Sequence, residues 1–347
     1  MEKSANDSTN TVVRTAALAT AVAAVATKAP AAEQEDKFIA DIKSDDEDVA
    51  YEAWSTAEKM SPDVIPALSK LLAADKPLTR KAAEQALNNL VHSVGKEIDP
   101  TGLAANAGRP DDPGKRNVRQ QIVAQLLGLL DGKRQHVEKV TALRHLSLLA
   151  TVDDVAAVAK NIHDAKLREE VVFCLERIPG KTAEEALLAA LPGAADEFKP
   201  RILAALGHRR AEEAIGACVE AMESSDLTIA MAAMKAAARI GARSGADVQL
   251  PDYSALSDWQ KTEYRDSLLR YADAQVASGN PDEAWPIYED ALGREEEHWQ
   301  CAAIIGLTNI GTARAAAAIF PKLKSSNNNV RITARNNWEA MAADDAA

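Results

Sequence analysis

Cysteine is scarce in this 347-residue chain, and Cys174, Cys218 and Cys301 fall in no CxxC spacing. That excludes a disulfide framework and a cysteine-rich zinc cluster as organising devices. Aromatic residues make up only 4%. Period-two runs of β-branched residues are missing, which excludes a sheet-based fold. No apolar run is long enough to span a bilayer, so no membrane span is expected. Basic excess is missing too. The formal net charge is -12, which argues against nucleic acid as a partner, because phosphate binding needs clustered Lys and Arg. The acid lies toward the two ends. From Lys115 to Arg243 there are 19 basic and 17 acidic residues, a balance expected of mixed, solvated helix faces.

Catalytic motifs are also absent. The chain has no GxGxxG, no GxxxxGK[ST], no HExxH and no GxSxG. Its six histidines are dispersed. His136 and His145 fall nine residues apart on one predicted helix, on opposite sides, and both are read as surface or boundary residues. Carboxylate pairs such as Glu169-Glu170 and Glu212-Glu213 sit where first helical turns favour acid. The sequence therefore predicts no catalytic, cofactor-binding or metal-ligating residue, and no enzyme.

Alanine is abundant, which suits closely packed helices. Amphipathic segments recur with a period near 30 residues. One inward position marks each: Ala53, Ala82, Ala142, Val171, Ile202, Met231, Ala302 and Ala334. Between them lie second amphipathic stretches such as PDVIPALSKLLAAD and EEAIGACVEAMESSD. The unit is helix, tight turn, helix. Neither helix can bury its stripe alone, so stacked pairs build a shared core. Cys174, inside KLREEVVFCLERIPG, then reads as a small hydrophobe in an inward slot.

The pattern of an Asp, a short polar turn, an apolar residue, an Arg and A-x-x-A-L-x-x-I-G resembles HEAT repeats, in particular the short HEAT-like repeats of the phycobilin-lyase type. DAKLREEVVFCLERIPG, SDLTIAMAAMKAAARIG and NNNVRITARNNWEAM carry it best. The resemblance implies an all-α α-solenoid of seven or eight stacked HEAT-like helix pairs over residues 34–93, 118–243 and 296–347. It also implies that the turn Asp and the helix-B Arg join neighbouring repeats, as Asp164 with Arg168 and Asp196 with Arg201.

Two segments interrupt the series. Residues 94–117 hold three prolines and four glycines and read as a long loop. Its Lys96, Arg109, Lys115 and Arg116 are candidate partner-binding residues. Residues 244–295 read as a linker followed by a unit that resembles a single tetratricopeptide repeat, carried by Tyr271, Ala272, Gly279, Asn280, Ala284, Tyr288 and Ala291. Trp285 and Tyr288 share one face of its second helix. They are read as core or as aromatic anchors of a peptide groove, and are candidate partner-binding residues.

Residues 1–33 stand apart as a tail. Arg14, the Ala-rich run after it and Ala29-Pro30-Ala31 look like a signal peptide, whereas Glu2 and Asp7 do not. A cytoplasmic location, or export if residues 1–31 act as a signal, both stay open. The expected function is non-catalytic protein–protein interaction on the concave face of the solenoid, with another protein as partner. The alternative is a lyase or chromophore-handling role, implied by the bilin-lyase resemblance alone.

Overall fold

The computed structural model describes residues 32–95, 113–241 and 256–344. Among them every regular element is helical and there is no strand. The chain divides into two compact units, Met1–Asn161 and Ile162–Ala347.

The first unit holds residues 32–42 (α1), Glu47–Ser55 (α2), Ile65–Leu71 (α3), Pro77–Gly95 (α4), Pro113–Leu130 (α5), His136–Leu149 (α6) and Val155–Ala159 (α7). The second holds Arg168–Arg177 (α8), Lys181–Ala190 (α9), Lys199–Arg209 (α10), Ile215–Met222 (α11) and Leu227–Ile240 (α12). It continues with Asp258–Ala277 (α13), Pro281–Leu292 (α14), Glu297–Ile310 (α15), Ala313–Ile319 (α16) and Asn328–Asp344 (α17).

Local chemistry sets the boundaries. The Asp46 and Asp226 carboxylates accept the backbone N–H of Asp48 at 3.0 Å and of Thr228 at 2.8 Å, satisfying donors that a helix start leaves open. Ser257 and Gln260 form a reciprocal capping box at the head of α13. At the other end, α15 stops where Gly311 takes φ 67°, a left-handed conformation that costs glycine least.

The helices are unequal. α3, α7 and α11 have only 7, 5 and 8 residues, and each is entered through a single 3₁₀ turn: Pro62–Val64, Val152–Asp154 and Glu212–Ala214. Helices this short are unstable alone. They hold because successive helices pack on one another. α2 and α3 pack on α4, and α5 packs on α6. In the second unit α8, α10, α12, α13, α15 and α17 follow one another side by side, with α9, α11, α14 and α16 packed against them.

Small residues set the spacing of that row. A Cβ on Gly207 of α10 would lie 2.6 Å from the Ala236 Cα of α12, so these two backbones touch. Seven of the eight inward positions read from the repeat are buried. Ala302 is the exception and is half-buried. The core stripe of α15 is Trp299, Ala303, Gly306 and Leu307, which turns the helix one position away from the expected phase. Cys174 is fully buried.

Two further expectations are corrected. The described helices reach into both ends of the segment 94–117, whose residues 96–112 lie outside the described residues. α4 continues through Gly95, and α5 starts at Pro113. Proline is tolerated at a first helical position, where its missing N–H has no partner to lose. The arginines that join neighbouring pairs do so through glutamates. Arg168 reaches Glu197 at 3.2 Å, and Arg201 reaches Glu176 at 2.9 Å and Glu169 at 3.4 Å. Asp164 instead accepts the Lys166 backbone N–H, and Asp196 pairs with Lys199. Each aspartate is thus used up locally within its own turn.

Candidate protein-interaction face

The long helices of the second unit share a pattern that repeat alignment alone did not bring out. On α12 the residues left half-buried or exposed on one side are Thr228, Ala232, Lys235 and Arg239. On α15 they are His298, Ala302, Ile305 and Asn309. Both sets follow i, i+4, i+7 and i+11, one stripe of a helix. The same spacing selects Glu169, Phe173 and Glu176 on α8, and Trp259, Glu263, Asp266 and Arg270 on α13. These helices pack in sequence, and the stripe residues Glu176 of α8 and Lys235 of α12 each reach the next helix of the row.

Side-chain hydrogen bonds and ion pairs link α8 to α10 and α12 to α13. Glu176 of α8 receives both Arg201, at 2.9 Å, and His208 Nδ1, at 2.6 Å, from α10. Lys235 of α12 reaches Glu263 of α13 at 2.7 Å. Arg270 lies 2.8 Å from Asp266, which raises the guanidinium pKa by hydrogen bond and charge. Such half-exposed pairs contribute little stability, about 0–1 kcal/mol each. Their larger effect is that charges of both signs are matched inside the face. Between α12 and α13 they line an open groove of about 630 Å³ bordered by Lys235, Arg239, Glu263, Asp266, Arg270 and Asp273.

Large apolar side chains stand out of this matched background. Phe173 is 41% exposed, Trp259 66%, Ile305 49% and Ile332 47%. Each belongs to the stripe of its own helix, Ile332 together with Asn328 and Arg335 on α17. Among the described residues of the second unit one other large apolar residue is comparably exposed, Phe320 at 54%. It lies off the stripe and is 5.5 Å from the Trp338 ring, centroid to centroid. The arrangement can hold apolar groups of a partner between pre-oriented charges.

None of the candidate partner-binding residues singled out from sequence is among these stripe residues. Lys96 and Arg109 lie outside the described residues, and so does the side chain of Lys115. Arg116 is exposed near the start of α5 rather than in a loop. Arg116 belongs to the first unit, and Trp285 and Tyr288 belong to the second. Tyr288 is fully buried and Trp285 is 9% exposed, so both rings are committed to packing. The Tyr288 hydroxyl donates to Asp273 at 2.7 Å, and the Arg314 guanidinium covers the Trp285 ring at 3.7 Å.

His145 corrects the reading of the histidines. It is 5% exposed. Burial, and then the nearby charge of His92, push its pKa down to about 4. Among the described residues no group of three or more His, Cys, Asp or Glu side chains is placed to hold a metal ion. No described helix is long and apolar enough to cross a membrane.

Sequence reasoning missed Phe173, Trp259, Ile305 and Ile332; Phe173 and Ile305 sit in runs that already read as core. One signal was present: VVFCL and AIIGL carry more consecutive apolar residues than one helix face can bury.

No protein-family model matches the chain, and no curated protein matches it. Among solved structures the chain is similar to an engineered protein determined by crystallography. The two are 16% identical over 89% of this chain and 98% of the other, with a TM-score of 0.42. A likeness that distant carries no argument about function.

Proposed function

We propose that the chain is a HEAT-like α-solenoid, with a tetratricopeptide-like pair at α13–α14, that binds another protein along the face formed by α8, α10, α12, α13, α15 and α17. The observation that carries this reading is that Phe173, Trp259, Ile305 and Ile332 each stand on the exposed stripe of a helix in one packed row. Exposed hydrophobes scattered singly are ordinary surface. Aligned on a common face, they mark an interaction site. The mutually paired charges support a protein partner over nucleic acid, which needs uncompensated cations.

The test is cross-linking from native extract followed by mass spectrometry, with intact protein beside a variant carrying Phe173→Glu, Trp259→Glu, Ile305→Glu and Ile332→Glu. The expected result is a stoichiometric partner linked to α8–α17 stripe residues and lost in the variant. Equal recovery of that partner by a folded variant would overturn the assignment of the face. The mature N-terminus read in the same run decides between export and a retained tail.

A further inference from the structure

We draw no further inference here: the strongest candidate, the polar groove between α12 and α13, belongs to the face already described, and its Lys235–Glu263 and Arg270–Asp266 pairs close their own charges with nothing in the structure to show what would displace them.

Discussion

Gly306 and Gly216 are both helical glycines, and they answer to different constraints. A Cβ on Gly306 would lie 2.3 Å from the Tyr288 ring, whereas a Cβ on Gly216 meets nothing within 4 Å. Gly306→Ala is therefore expected to overpack the α14–α15 contact and to cost about 1–3 kcal/mol. Gly216→Ala is expected to be neutral or to stabilise by about 0.4–1 kcal/mol, through the unfolded chain. Urea denaturation of the two variants checks the pair, and equal effects would contradict the packing of Tyr288. His145 gives a second expectation. Its folded pKa, near 4, lies below the ordinary 6.5, so the unfolded chain binds the proton more readily. Its contribution is complete above pH 6.5, falls as pH drops toward 4, and levels off below that. The span is roughly 3 kcal/mol. Denaturation across that window, compared with His145→Gln, isolates it. Parallel curves for the two proteins would rule the buried imidazole out as the source.

Between neighbouring helices the strongest single link is Arg209. Its guanidinium, from the end of α10, donates to the carbonyls of Leu175, Glu176, Ile178 and Gly180, and lies 3.3 Å from Glu184. Leu175 and Glu176 lie in the last turn of α8 and Ile178 caps it, where a helix leaves acceptors unsatisfied, and Gly180 precedes α9. Arg209→Met keeps most of the packing volume and removes the donors. It is expected to cost about 3 kcal/mol and to speed amide exchange at residues 177–180. Arg201→Ala removes only half-exposed pairs and is expected to cost less than about 1 kcal/mol. Similar losses for both would place the stability in general charge rather than in the cap. This level was only partly legible in the sequence. The helix pairs and most inward positions followed from apolar spacing, because burial imposes a period. The wiring did not. An arginine in a repeat pattern shows that a long cation is present, but which acceptor it reaches depends on how two helices cross. Asp164 and Asp196 look like partners in sequence, and their own turns consume them.

At the scale of the second unit, core and face make opposite demands, and that contrast separates the functional reading from a merely structural one. Val171 and Phe173 are two residues apart on α8, yet Val171 is fully buried and Phe173 is 41% exposed. Sequence could not divide them, since both are large and apolar in one run. For the same reason Trp285 and Tyr288 could be read from sequence as core or as aromatic anchors, since aromatic character is visible in sequence and burial is not. A charge at Phe173, Trp259, Ile305 or Ile332 meets solvent, so each substitution to Glu is expected to shift stability by no more than about 0.5 kcal/mol. A charge at Val171 is expected to prevent folding, because an isolated buried carboxylate has no partner. If the face binds protein, the four exposed sites are where affinity is lost while the thermal melt stays in place. Apolar anchors at the centre of an interface typically cost 2 kcal/mol or more on removal, so roughly a thirtyfold weakening per central residue is expected by calorimetry against the cross-linked partner. Weak salt dependence is expected alongside it, since the paired charges leave little net field to screen. Binding that survives all four charges but collapses in salt would instead locate recognition on an electrostatic surface outside this face.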